Sequence, residues 1–106
     1  MKVYHLSDMK GGWFAGDFTP TVVPSKNFEV AVKHYPVGAK EAMHHHKVAQ
    51  EVTVIAAGTV RMNGATYTEG AIIVLAPGDS TDFEALTAAT TVVLKTPSVA
   101  GDKYLD

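Results

Sequence analysis

The chain has 106 residues, 46% of them hydrophobic, and nine Lys and Arg against eleven Asp and Glu give a formal net charge of -2. That is the length of one small domain with one core, residues 1–106, and it carries no clustered basic patch of the kind that nucleic acid requires. No apolar stretch approaches the roughly 20 residues of a membrane-spanning helix, Lys2, His5, Asp8 and Lys10 interrupt any secretory-type apolar run so that cytoplasmic residence is expected, and with no cysteine any metal must be held by nitrogen and oxygen.

Gly11-Gly12, Gly16, Pro20 and Pro24 cut the first 26 residues into pieces of strand length at most, suited to an edge strand shared with a second subunit. Trp13 and Phe14 in that region suit either a seal over the barrel or subunit contact, or a lid over a ligand. Phe28 to Tyr35 alternates as a strand and places Phe28, Val30, Val32 and His34 on one face, which the composition marks as the inner one. Pro36 to Lys40 is a turn, and strands are predicted over 41–47 and 51–57, ended by Gly58. Val60-Arg61-Met62, Asn63-Gly64 and Ala65-Thr66-Tyr67 predict a hairpin, because Asn-Gly accepts the positive φ angles of a type I′ turn, with Arg61 on the face opposite Val60 and Met62. Ala71 to Leu75 is a continuous apolar run, as in a strand covered on both faces. Asp79, Asp82 and Glu84 read as a solvated turn, Thr90 to Thr96 as a last strand, and Pro97 to Asp106 as a polar tail lying on the surface or frayed. With no helical periodicity sustained over three turns, the chain is predicted all-β, and so many short strands close into an antiparallel barrel or sandwich.

The chemistry concentrates between Gly38 and Gly58. His44 and His46 are two apart on a strand, so their imidazoles leave the same face with Cα atoms roughly 6.6 Å apart. If residues 47–50 form a four-residue hairpin loop, His46 and Glu51 become cross-strand partners on that face. Two imidazoles and one carboxylate with open positions suit a divalent transition ion, Fe(II) foremost and also Mn, Ni, Co or Zn. An isolated His triplet is more often a solvated loop, and His45, between the other two, points away from the site.

This segment resembles the first motif of the cupins: Gly, five residues, His, one residue, His, three or four residues, Glu, six residues, Gly. Gly38, His44, His46, Glu51 and Gly58 satisfy every fixed position. The second cupin motif, at 70–85, is met in part: Gly70 and Gly78 fit, Ala76 stands where Pro is expected, and Thr81 and Ala85 occupy the His and Asn slots. The resemblance spans about residues 28 to 96 and implies a small antiparallel β-barrel or jelly roll, commonly a homodimer, with His44, His46 and Glu51 as metal ligands and the fourth ligand replaced. Thr81 is a weak ligand, and His34 or Asp82 are the candidates to supplement it.

The expectation that follows is a metal-binding protein that acts on or binds a small polar organic molecule. Dioxygenation, decarboxylation, isomerisation and lyase chemistry all occur on such scaffolds. Met43 to Lys47 also resembles the His-rich stretch of metal-independent cupin sugar-nucleotide ketoisomerases, in which a His shuttles a proton. Arg61, the only arginine, leaves no pair to clamp a diphosphate. A non-catalytic ligand-binding protein is the third expectation.

Overall fold

The structure, a computed structural model, describes residues 1–106. A single 3₁₀ turn at Leu6–Asp8 precedes eleven strands: β1 (Trp13–Gly16), β2 (Val23–Pro24), β3 (Glu29–Tyr35), β4 (Lys40–His45), β5 (Gln50–Ala57), β6 (Thr59–Met62), β7 (Ala65–Thr68), β8 (Ile72–Leu75), β9 (Thr81–Ala85), β10 (Ala89–Thr96) and β11 (Tyr104–Leu105). They form a six-stranded sheet in the order β2-β1-β3-β10-β5-β8 and a five-stranded sheet in the order β11-β4-β9-β6-β7. All pairings are antiparallel except β1 with β2. The all-β, antiparallel barrel expectation therefore holds.

The core lies between the sheets, where Ile55, Val60, Met62, Phe83, Ala85 and Ala89 are buried against Tyr35, Tyr67, Ile73 and Leu75. Alternation along each strand supplies it: Glu51, Thr53 and Ile55 point inward from β5, Thr81, Phe83 and Ala85 from β9, and Thr91 and Val93 from β10. The Asn63-Gly64 turn is as predicted, with φ of 54° and 79° closing β6 onto β7, and Arg61 faces outward toward Glu84 at 3.4 Å. Gly58 has φ of 86°, and a Cβ there would stand 2.2 Å from the Ala88 carbonyl oxygen. Only glycine lets the β5–β6 turn approach the start of β10 so closely.

Three expectations are corrected. Phe28, Val30, Val32 and His34 do not face inward; Ala31 is the buried residue of β3, Lys33 and Tyr35 share its side, and His34 is exposed. The inner face of β3 lines a polar pocket, so the more apolar face is the outer one. Ala71 to Leu75 is covered on one face only, for β8 is a sheet edge and leaves Ile72 and Val74 66% and 53% exposed. The acidic turn is in part a strand, β9, whose Asp82 points outward. Within this chain β1 lies between β2, the sheet edge, and β3, and the tail lies on the surface, the first of its two expected arrangements, held through β11 on β4.

Candidate functional site

A cavity of about 50 Å³ opens between the sheets, and His44, His46, Glu51 and Thr81 all line it. Met62 and Phe83 connect it to the core. The three donors of the first motif are 6%, 4% and 8% exposed, and Thr81 is 3% exposed. Polar groups buried to this degree cost stability unless something satisfies them.

His46 and Glu51 meet by a different route from the one spacing suggests. They are not cross-strand partners: β4 pairs with β9 and β11, whereas β5 pairs with β10 and β8. The 46–49 connection crosses from one sheet to the other, and the pair faces across the interior with Nε2 of His46 3.4 Å from Oε1 of Glu51. Asp102, in the tail, shapes that crossing. Its buried carboxylate accepts the backbone N–H groups of Lys47 (2.9 Å), Val48 (3.1 Å) and Ala49 (2.9 Å), and its carbonyl oxygen bonds Nδ1 of His46.

His44 is aimed by a β-bulge. The β4–β9 register slips between Glu41, opposite Phe83, and His44, opposite Thr81. A bulge adds one residue to its strand and shifts the alternation by one. Glu41 and His44 thus both line the cavity although they are three apart. Nδ1 of His44 is 2.7 Å from the Ala42 carbonyl oxygen. Each ring is therefore anchored through Nδ1 to a backbone carbonyl, which fixes the tautomer and leaves Nε2 free as a lone-pair donor. The ring centroids are 5.6 Å apart, and Nε2 of His46 is buried without any hydrogen-bond partner. As the side chains stand, no three His, Asp or Glu groups converge closely enough to enclose an ion.

The electrostatics couple these groups. The Glu51 carboxylate, 3.4 Å from Nε2, outweighs burial and raises the His46 pKa above 6.5. Burial pushes the Glu51 carboxyl up, but His46, Lys95 and the Thr53 hydroxyl together hold it below the ordinary value. Burial pushes the Tyr35 phenol far upward, helped by Glu41, whose Oε1 accepts the Tyr35 hydroxyl at 3.3 Å.

Thr81 lies in the site, opposite His44, with its hydroxyl donated to the Asp82 carbonyl oxygen at 2.8 Å. The other two supplementary ligands do not reach it. Nδ1 of His34 is 3.0 Å from the Thr90 hydroxyl on the outer face, and Asp82 accepts the Asn63 backbone N–H at 2.8 Å. His45 points away as expected, onto the Asp106 carboxylate at 2.6 Å. Glu41, Tyr35, Lys33, Lys95, Lys103 and Asp102 were not found from the sequence. No local spacing signals a bulge or an interaction spanning more than fifty residues.

No family model and no curated protein matches the sequence. Solved structures do match. A conserved protein with a double-stranded β-helix domain from Klebsiella pneumoniae superposes with a TM-score of 0.73 at 19% identity, over 98% of this chain and 90% of that one. The DMSP lyase DddQ from Ruegeria pomeroyi gives 0.72 at 18% identity, over 88% of this chain and 49% of that one. An RmlC-like cupin from Shewanella frigidimarina gives 0.66 at 16% identity, over 71% and 70%. The chain has the double-stranded β-helix fold of the cupins, and it contains no helix long and apolar enough to cross a membrane.

Proposed function

We propose that His44, His46 and Glu51 hold a divalent transition ion and that the cavity beside them acts on a small polar organic molecule. The observation that carries this reading is the His46 ring: anchored at Nδ1, buried, and presenting to Glu51 an Nε2 with no partner. Two imidazoles and a carboxylate are the donor set a divalent transition ion prefers, and ion binding is expected to draw them into full convergence. An ion bound there would supply polarisation of an oxygen on the bound molecule. The chain's own groups do the rest: Tyr35, held protonated, offers a hydroxyl at the cavity wall, Glu41 accepts its proton in a hydrogen bond, and the apolar core beneath limits water. The lyase activity of DddQ belongs to a protein of like fold, and fold does not choose a reaction. Calorimetric titration of chelator-treated protein with Mn, Fe(II), Co, Ni and Zn tests the ion directly. Binding of one equivalent, lost in His46→Ala, is the expected result; no binding by any of the five overturns it.

One observation favours a second reading. Without an ion, His46 and Glu51 form an imidazole–carboxylate pair with the imidazole pKa raised, the arrangement of a proton-transferring base. It predicts chelator-insensitive proton exchange on a bound sugar-type substrate. The absence of any arginine from the cavity counts against a sugar nucleotide as that substrate.

We also propose that the chain pairs with a second copy of itself through the outer face of the six-stranded sheet. Register aligns Val32, Val92, Val54 and Ile72 in one row across four strands and Val30, Leu94, Val52 and Val74 in the next. These rows carry no charge, and the run Ala71 to Leu75 is apolar on both faces although this chain covers only one. A two-fold interface needs such a self-complementary patch.

A further inference from the structure

The walls of the pocket carry lysines that make no ion pair within the fold. Lys33 and Lys95 sit on the inward faces of β3 and β10, in line with the buried Ala31 and with Val93 and Thr91. Both line the cavity that His44, His46 and Glu51 share, and Lys103 from the tail joins them at its wall. A second, larger cavity of about 290 Å³ adjoins the first: Trp13, Lys95 and Lys103 line both, and Lys10, Phe18 and Val99 line the outer one. The two are an inner chamber and a vestibule.

An ammonium turned inward loses hydration, which is unfavourable without a compensating partner. None of Lys10, Lys33, Lys95 and Lys103 makes an ion pair within the chain. Lys95 lies between Glu29 and Glu51 in register, yet the nearby carboxylates are engaged elsewhere. Glu51 faces His46 and Thr53, Glu29 accepts the Ser98 hydroxyl, Glu41 accepts Tyr35, and Asp102 is saturated by backbone N–H groups. What holds the ammoniums in place is one indole: Nζ of Lys33 and of Lys95 stand 5.2 and 5.0 Å from the Trp13 ring centroid. Cation–π contact at such a distance positions a charge without neutralising it.

We infer that the site takes a small organic carboxylate, its anionic group held by Lys33, Lys95 and Lys103 around Trp13 while its other end enters the inner chamber beside His44, His46 and Glu51. Lysine point charges suit any small anion, and the wall that also offers Trp13, Phe18 and Val99 gives a short carbon chain an apolar contact that inorganic phosphate cannot use. The inner chamber admits only a few non-hydrogen atoms, on the order of a handful of waters. This names the substrate class of the function proposed above and rests on it for the reactive end. The anion subsite itself requires no ion.

Trp13 is the only tryptophan, so its fluorescence reports on the subsite alone. In chelator-treated protein it is to be titrated with acetate, malonate and succinate, with neutral succinamide, and with inorganic phosphate. A saturable emission change with at least one carboxylate, none with succinamide, and affinity weakened roughly tenfold or more in Lys95→Met and in Lys103→Met is the expected result. Lys103 is exposed, so its variant keeps the test open if Lys95→Met does not fold. No saturable change with any carboxylate, an equal response to succinamide, tighter binding of phosphate, or unaltered affinity in a folded lysine variant overturns the inference. Carboxylate binding without ion binding would sink only the metal reading, and ion binding without carboxylate binding only this one.

Discussion

At the scale of single residues, the site depends on the groups that hold His44, His46 and Glu51 as much as on those three side chains themselves. Asp102 supports three backbone N–H groups and one imidazole at once. Asp102→Ala leaves the N–H donors of the 46–49 crossing without their carboxylate and is expected to cost about 1–3 kcal/mol of stability, read by urea unfolding; the backbone carbonyl that bonds His46 is kept, so ion binding is expected to weaken only indirectly, as the loosened crossing lets the ring move. Burial opposes ionisation of Asp102, but the N–H groups of Ala49, Lys47 and Val48 outweigh it and hold the carboxyl below 3.8. A carboxyl depressed on folding contributes fully above its unfolded pKa. That contribution therefore fades as pH falls below about 4, and acid unfolding of the wild type should be steeper there than that of Asp102→Ala. The His46 shift has the opposite sign. A proton competes with an ion for Nε2, so ion affinity should rise as pH climbs through the raised His46 pKa, above 6.5. Thr81 supplies the complementary test: it faces His44 across the β4–β9 ladder, and Thr81→His, which adds an imidazole there, is expected to tighten ion binding in the same calorimetric titration.

At the scale of strands, the bulge in β4 decides which side chains meet. Strict alternation from His44 puts Glu41 on the far side; the extra residue brings it in. Deleting Ala42 should restore regular pairing and turn either Glu41 or His44 away from the cavity, abolishing ion binding while a β-type circular dichroism spectrum persists. The β6–β7 hairpin behaves differently, because its turn is set by two adjacent residues. Gly64 adopts a φ of 79° with open space around its Cβ position, so Gly64→Ala introduces backbone strain and no clash. A loss of about 1 kcal/mol is expected, measured by thermal unfolding, with ion affinity unchanged. Hairpin, bulge and sheet-to-sheet crossing thus differ in reach: the first is local, the second needs β9 as partner, and the third needs the tail.

At the scale of the whole molecule, the six-stranded sheet presents polar and charged groups inward at the pocket end and aliphatic rows outward, the reverse of a simple one-face-buried sheet. The outward rows are the face through which pairing with a second copy is proposed. Val74→Lys places a charge in the middle of the proposed two-fold patch, and sedimentation is expected to shift from dimer to monomer; a monomeric wild type at micromolar concentration would refute the proposed pairing. The opening at the pocket end lies away from those rows, so pairing leaves access to Trp13 and the lysines.

What the sequence determined by itself is whatever depends on short separations: strands β3, β4, β5, β8 and β10, the Asn63-Gly64 hairpin, the end of β5 at Gly58, and the same-side placement of His44 and His46. Those follow from alternation and local sterics, which act within a few residues. Glu51 was legible as a companion by motif spacing, though the reason is a crossing between sheets and not a hairpin. Tertiary structure alone decided which face of β3 is inner, the exclusion of His34 and Asp82, and the recruitment of Glu41, Lys95 and Asp102. Hydrophobicity ranks faces without knowing that one borders a polar cavity, and no pattern in a linear chain reports that residue 102 will return to hold residues 46 to 49.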